Sequence, residues 1–401
     1  MLRKILLPTI FVVLGYGFWV SPDFKVIAAG VAIFLFGMLS LEEGFKAFTG
    51  GMLERVLQRT TNRLWKSVSF GIVTTTVMQS SSLVSVITIS FLSAGLIGLA
   101  SGIGIIFGAN LGTTTGAWLV AGLGLKVKIS AYAMPMLVFG VILIFQKARS
   151  LKGIGYILAG LGFLFLGIHY MKEGFEAFKD AIDLAAYAIP GFKGLLVYSL
   201  LGIAATVIMQ SSHATLVLII TALAAQQITY ENALALAIGA NVGTTITAIL
   251  GAMGSNVQGR RLAGGHLVFN LVTGIVAIVF IQQFLLAVNL TSDWLGIAQD
   301  DYTLKLAVFH TLFNLVGVCL MLPLTGWLVR WLERLLPSAE RLVDEPRYLN
   351  EAAMELPETA MQAIRNEMAH LLENAYEVIA SALSLKADDV RLNADIRGQI
   401  E

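Results

Sequence analysis

From Ser67 to Leu125 the chain runs for 59 residues without Asp, Glu, Lys, Arg or His. As α-helix, at about 1.5 Å per residue, that run is roughly 88 Å long, close to three bilayer cores of about 30 Å. The whole sequence is 57% apolar and only 13% charged, against roughly 25% charged in soluble domains. Such a chain is read as an all-α polytopic membrane protein. A single cysteine, Cys319, excludes an intrachain disulfide. Arg3-Lys4 followed by Ile5–Val20 has the outline of a secretion signal, but no small-x-small cleavage site follows. Ile5–Val20 is therefore read as the first transmembrane helix.

Polar strings interrupt the apolar sequence at matched places. Thr74-Thr75-Thr76-Val77-Met78-Gln79-Ser80-Ser81-Ser82 returns as Thr206-Val207-Ile208-Met209-Gln210-Ser211-Ser212-His213. Each is followed by a second break, Gly108-Ala109-Asn110-Leu111-Gly112-Thr113-Thr114 and Gly239-Ala240-Asn241-Val242-Gly243-Thr244-Thr245. An offset of 131 residues carries Gln79 to Gln210, Gly71 to Gly202 and Asn110 to Asn241; an offset of 130 carries Glu43-Gly44-Phe45 to Glu173-Gly174-Phe175. A period this long is a duplicated half rather than a solenoid unit.

The 59-residue run fits a re-entrant hairpin folded at Gln79–Ser82 plus one span broken near Asn110. Three crossings then follow per half, Ile5–Val20, Val26–Ala47 and the broken span, and an odd number turns the second half upside down. The second half reads Ile129–Phe145, Ile154–Phe178, a hairpin over Leu195–Gln226 and a broken span Asn232–Met253; two further helices, Ala263–Val288 and Leu304–Leu328, complete about eight crossings and two opposed hairpins. The expected units are residues 1–131, their inverted copy 132–262, the two added helices within 263–330, and a cytoplasmic helical tail 331–401. With both termini inside, the arginines near span ends, among them Arg55, Arg59, Arg63, Arg149, Arg260, Arg261, Arg330 and Arg334, fall on the cytoplasmic face. The tail carries apolar spacing through Met361, Ile364, Met368, Leu371 and Leu372.

Absences narrow the chemistry. Between Lys193 and Arg260 the only charged or imidazole side chains are Glu231 and His213. A site at membrane depth therefore has hydroxyls, amides and backbone dipoles. Oxygen-rich sets suit a hard cation, by the reasoning applied to Ca²⁺ and Mg²⁺. A hairpin tip that begins a helix suits an anion, because free N–H groups and the helix dipole point the same way. Ser80–Ser82 and Ser211–Ser212 are cap-type residues at such a start. Without a fixed cation, a multivalent anion needs co-bound cations, which is a physical reason for symport. No nucleophile–base pair or metal cluster suggests an enzyme.

Paired Gln-Ser-Ser motifs, each followed by Gly-Ala-Asn-x-Gly-Thr, together with His266-Leu267-Val268-Phe269-Asn270 and His310-Thr311-Leu312-Phe313-Asn314, resemble the type II sodium-dependent phosphate cotransporter family over roughly residues 25 to 330. The tail resembles the start of a PhoU-like domain found on bacterial members and is expected to be incomplete. The resemblance implies Na⁺-driven movement of inorganic phosphate by alternating access in the plasma membrane, with no other cofactor and with a homodimer possible in principle. It implies that Gln79, Ser80, Ser81, Ser82, Gln210, Ser211, Ser212 and His213 line the substrate site, and that Gln79, Ser82, Asn110, Thr113, Thr114, Gln210, Asn241, Thr244 and Thr245 serve sodium. His213 departs from the pattern, which has a third serine there. Carriage of sulfate or a dicarboxylate, or phosphate sensing without flux, are the alternatives. Blander roles stand beside these: small-residue packing for the serine strings, structural pairing for His266 and His310, snorkelled end charges for Glu43 and Glu173, and core packing for Met78 and Met209.

Overall fold

The protein is represented by a computed structural model that describes residues 2–49, 63–125, 129–181, 184–337 and 346–382. Expectations for Arg55, Arg59 and the tail beyond residue 382 lie outside these residues. Every regular element among the described residues is helical. In order they are α1 (Leu2–Val20), α2 (Pro22–Thr49), α3 (Leu64–Met78), α4 (Ser81–Ser93), α5 (Leu99–Trp118), which runs into a π-helical turn at Leu119–Gly124, α6 (Ile129–Ile144), α7 (Arg149–Ala181), α8 (Gly191–Met209) and α9 (Ser212–Ala224). They continue as α10 (Tyr230–Gly243), α11 (Thr245–Ala252), α12 (Val257–Val279), α13 (Ile281–Trp294), α14 (Tyr302–Met321), α15 (Thr325–Leu335), α16 (Glu351–Met354) and α17 (Pro357–Ala382).

Among the described residues, seven stretches are long and apolar enough to cross a membrane: Pro22–Ala47, Leu99–Gly122, Arg149–Ala177, Gly191–Met209, Tyr230–Ala252, Val257–Val279 and Tyr302–Met321. Six coincide with expected crossings, and the seventh is the first arm of the second hairpin. The other expected crossings, Ile5–Val20 and Ile129–Phe145, contain only the shorter apolar helices Pro8–Val20 and Ala131–Ile144.

Four expectations are corrected. The helix does not break at Asn110: α5 passes through it unbroken and loosens only at Leu119–Gly124. Asn110 instead returns its amide N–H to Ile106 O at 2.9 Å, so the side chain serves the helix it was expected to interrupt. In the second half the interruption is one residue, Thr244, which keeps right-handed helical dihedrals. The helix expected over Ala263–Val288 turns at Phe280 (φ −104°, ψ 27°). The helix expected over Leu304–Leu328 stops at Met321 before Pro323 and resumes as α15, because proline has no N–H to continue the ladder.

The 131-residue offset recurs in the geometry. Gly71 packs on the carbonyl of Ile105, and Gly202 on that of Leu236; Gly108 packs on Val68 O, and Gly239 on Ser199 O. These close approaches seat α3 on α5 and α8 on α10 in the same way. The turn that leaves each hairpin is also shared. Gly95 (φ 75°) and Gln226 (φ 58°) are both left-handed, with Leu96 N–H bonded to Phe91 O and Gln227 N–H to Ala222 O, each at 2.9 Å.

Helices α2 and α7 lie antiparallel along a glycine stripe. Gly30 faces Gly167, Gly37 faces Gly160, and Gly44 faces Gly153; a Cβ added at Gly37 or at Gly160 would stand 2.8 Å from the other's carbonyl oxygen. Small residues at this spacing let two backbones touch, as membrane helices require when apolar burial gives no drive between them. The pair is part of the first of two large core clusters. That one holds Phe34, Leu164, Val217, Ile238 and Phe309; the other holds Ile89, Ile105, Phe107, Phe269 and Leu328.

The described part of the tail covers the base of the first hairpin. Asn366 donates to Ala94 O at 2.8 Å, Ala352 N–H to Gly254 O at 3.2 Å, and Ala94, Ala353 and Ala363 share a small core. The stripe Met361, Ile364, Met368, Leu371 and Leu372 is exposed. Glu367 gathers the N–H groups of Arg347, Tyr348 and Leu349 at 2.8, 2.6 and 3.3 Å and meets His370 Nδ1 at 3.0 Å. Burial pushes this carboxyl up, but Tyr348, His370, Arg347 and Leu349 together outweigh it and hold it below the ordinary Glu range. The clamp is therefore present above the unfolded-chain value and is lost as pH falls through the lower folded-state value. Glu367→Gln is expected to release residues 347–349 at neutral pH. Their amide hydrogen exchange should rise about tenfold or more, since bonds to a charged acceptor are worth about 1.5–3 kcal/mol; unchanged exchange would remove the clamp from the account.

Candidate functional site

Each hairpin reverses direction within two residues. Helix α3 ends at Gln79 in the left-handed region (φ 53°, ψ 24°), and α8 ends at Gln210 (φ 54°, ψ 20°). A non-glycine residue there costs on the order of 1–3 kcal/mol, and glycine is the default. Both glutamines compensate in one way: the side-chain Nε2 folds back onto the carbonyl three residues earlier, Thr76 or Val207, at 2.5 Å. That satisfies a helix-end carbonyl that has no other partner in the ladder.

The next residue starts the returning arm. Ser80 (φ −141°) accepts Leu83 N–H at 3.3 Å, and Ser211 (φ −151°) accepts Ala214 N–H at 3.1 Å. Both are N-caps of helices whose dipoles point out of the turn. Ser80, Ser81, Ser211, Ser212 and His213 are buried; Ser82 and Gln79 are partly buried, and Gln210 is exposed.

The two tips converge on α2. Ser80 Oγ donates to Glu42 Oε1 at 2.5 Å, and Ser211 Oγ points to Met38 Sδ at 3.6 Å. Residues 38 and 42 are about one helical turn, or 5.4 Å, apart. The contacts between halves are paired too. Thr247 Oγ1 lies 3.3 Å from Ser82 Oγ. At the equivalent place the Cε1 edge of His213 sits against Gly116, where an added Cβ would stand 2.8 Å from Nε2, and the ring turns towards the main chain of Gln79. An imidazole has taken the place of a serine where a glycine has taken that of a threonine. Gln79 Nε2 also reaches Thr115 Oγ1 at 3.1 Å.

The threonines after each Gly-Ala-Asn donate their protons to their own helix: Thr113 to Ala109 O, Thr114 to Leu111 O, Thr115 to Gly112 O, Thr244 to Ala240 O, Thr245 to Val242 O and Thr247 to Thr244 O, at 2.8–3.1 Å. A hydroxyl whose proton is committed presents lone pairs outward, the arrangement a cation uses. The asparagines serve differently. Asn110 Nδ2 meets His266 Nε2 at 3.3 Å. Asn241 gives Nδ2 to Asn270 Oδ1 and Asn314 Oδ1 at 3.2 and 2.9 Å, and its Oδ1 meets His310 Nε2 at 3.2 Å. The His-x-x-Phe-Asn helices α12 and α14 thus brace α5 and α10, with Phe107 stacked on Phe269 at 4.6 Å. Met78 is core, and Glu43 is exposed.

Glu42, Met38, Thr115, Gly116 and Thr247 were not singled out from sequence. Thr115 and Thr247 only extend the threonine runs. Met38 and Glu42 share one face of α2 with Phe34 and Phe45, a spacing that was readable but carried no chemical label.

The chain is, by fold, a polytopic all-helical membrane protein with two helical hairpins whose tips meet on α2. It belongs to the Na⁺/Pi-cotransporter family, whose pattern it matches over residues 33–173 and 192–320. It is 27% identical over 337 residues to the Escherichia coli K12 protein named "Putative inorganic phosphate export protein YjbB", with 83% of this chain and 60% of that one covered. The Salmonella typhimurium protein of the same name is 26% identical over 381 residues, covering 91% and 68%. "Uncharacterized protein YqeW" of Bacillus subtilis is 28% identical over 311 residues, covering 77% and 96%. The chain thus spans 60% of the length of the E. coli relative. No solved structure matches it.

Asn241→Ala removes three bonds and leaves Asn270, Asn314 and His310 facing a gap. Losing such a partner costs about 1–3 kcal/mol, so the thermal unfolding midpoint in detergent should fall. An unchanged midpoint would deny Asn241 its bracing role.

Proposed function

We propose that the protein is a Na⁺-coupled carrier of inorganic phosphate that works by alternating access. The observation that carries this reading is the meeting of the two hairpin tips on one turn of α2, at Met38 and Glu42. It gathers two helix N-termini, six serine or histidine side chains and two glutamine amides with no arginine among them. The family match supports phosphate and Na⁺ as the solutes. Ser81, Ser82, Ser211, Ser212 and the first-turn N–H groups hold oxyanion oxygens; Gln79, Gln210, Ser82 and the threonines 113, 114, 244 and 245 offer oxygen to Na⁺. Asn110 and Asn241 hold those threonine-bearing helices in place.

Antiparallel α2 and α7, with Gly30·Gly167 and Gly37·Gly160 as exchanged contacts, support two inverted halves. Inversion lets one packing open to either side, which is the basis of alternating access. The arginine bias supports cytoplasmic termini in the plasma membrane. Direction follows the gradients. The word export in the relatives' names suits a carrier run outward under high internal phosphate.

In proteoliposomes, phosphate flux should require a Na⁺ gradient and stop when choline replaces Na⁺; flux indifferent to that exchange rejects the reading. Gln79→Gly and Gln210→Gly suit their left-handed positions, so each should keep the unfolding midpoint yet lower flux at least a hundredfold. Retained flux would make the glutamines mere caps.

A further inference from the structure

The two tips repeat each other in backbone and sequence, but their neighbours differ in charge. Ser80 donates to a carboxylate, Glu42 Oε1, at 2.5 Å. Its counterpart Ser211 meets only the thioether of Met38 at 3.6 Å, and no carboxylate reaches it among the described residues. The 130-residue offset that relates α2 to α7 places Lys172 where α2 has Glu42. Lys172 is half exposed and lies 3.8 Å from Glu176. The duplication has therefore put a carboxylate at the first tip and none at the second.

A second observation lies in the same hairpin. Thr206 Oγ1 bonds Thr215 Oγ1 at 3.0 Å. The equivalent pair in the first half is Thr75 and Val84, so Thr75 Oγ1 has no partner among the described residues although the residue is wholly buried. Thr75 holds Gln79 N–H on its own carbonyl at 2.7 Å and packs its side chain against Gly112, whose carbonyl takes the Thr115 proton. Thr115 in turn takes Gln79 Nε2. An orphan hydroxyl, two committed hydroxyls, an amide and a carboxylate thus gather around one tip. An unpaired buried polar atom costs about 1–3 kcal/mol unless something fills its valence.

We propose that the tips divide the work: Glu42, acting beside Ser80, makes the first hairpin the seat of the coupling cation, and the second hairpin, free of carboxylate, takes the larger share of the oxyanion. This rests on the symporter reading above. Its physical basis is that two like charges a few ångströms apart repel strongly in a low-dielectric site. A phosphate cannot approach Glu42 until a monovalent cation stands between them, so cation binding comes first. Oxygen ligands with one full negative charge fit Na⁺, whereas serine hydroxyls and helix N–H groups at Ser211–His213 fit an anion.

The test uses the full chain in proteoliposomes with NaCl and inorganic phosphate, and in detergent with NaCl against choline chloride. Glu42→Gln should raise the Na⁺ concentration for half-maximal flux at least tenfold and abolish the rise in unfolding midpoint that Na⁺ gives. The phosphate KM at saturating Na⁺ should stay within about twofold. Glu42→Asp should fall between, and Lys172→Gln should change neither. Should Glu42→Gln not fold, Ser80→Ala against Ser211→Ala decides. The first should shift Na⁺ activation and the second the phosphate KM. A wild-type Na⁺ curve in Glu42→Gln, or equal shifts in both serine variants, overturns the assignment. A wild-type protein with no Na⁺ dependence at all would instead sink the symporter reading itself.

Discussion

A helix that turns back inside an apolar slab leaves carbonyls on one arm and N–H groups on the other without partners, and lipid supplies none. Everything near the two tips follows from that constraint. The glutamine amides close the carbonyl ends, the serine hydroxyls close the N–H ends, and the left-handed backbone at Gln79 and Gln210 makes the turn short enough to bury. Ser80 and Ser211 then turn to α2, at Glu42 and Met38, and Ser82 meets Thr247 of the other half.

The rest of the structure holds these turns still. Glycine contacts press α3 onto α5 and α8 onto α10, and the His-x-x-Phe-Asn helices tie the asparagines from the far side. Carriers need two packings of similar energy, and rigid bodies that swing around a fixed centre provide them. The antiparallel glycine seam between α2 and α7 repeats itself under the 130-residue offset, which turns Gly30·Gly167 into Gly160·Gly37. The tail rests on the exit turn of the first hairpin, at Ala94 and Gly95.

Much of this was legible beforehand. Duplication located both hairpins to within a few residues, because caps and reversals need particular side chains at particular places. The asparagine motif was legible as important, and a break does fall in it at Thr244, but in the first half it was misread as a break, since an amide at membrane depth can bind a ligand or brace a neighbour, and sequence does not say which. The end of α12 at Phe280 has no proline or glycine to announce it. Glu42 was missed for a sharper reason. Reasoning from the repeat promotes residues that recur, as Glu43 does at Glu173, and passes over those that do not. The feature that makes the two tips unequal was bound to be invisible to that comparison.

Cross-linking tests the meeting of the tips most directly. In a Cys319→Ser background, cysteine pairs at Met38 with Ser211 and at Glu42 with Ser80 would be treated with a short thiol-bridging reagent in native membranes. Both pairs should bridge, because each serine lies within one side-chain length of its helix α2 partner. Failure of both, with Ser80 and Ser211 labelled only from opposite faces and never drawn to α2, would contradict the account.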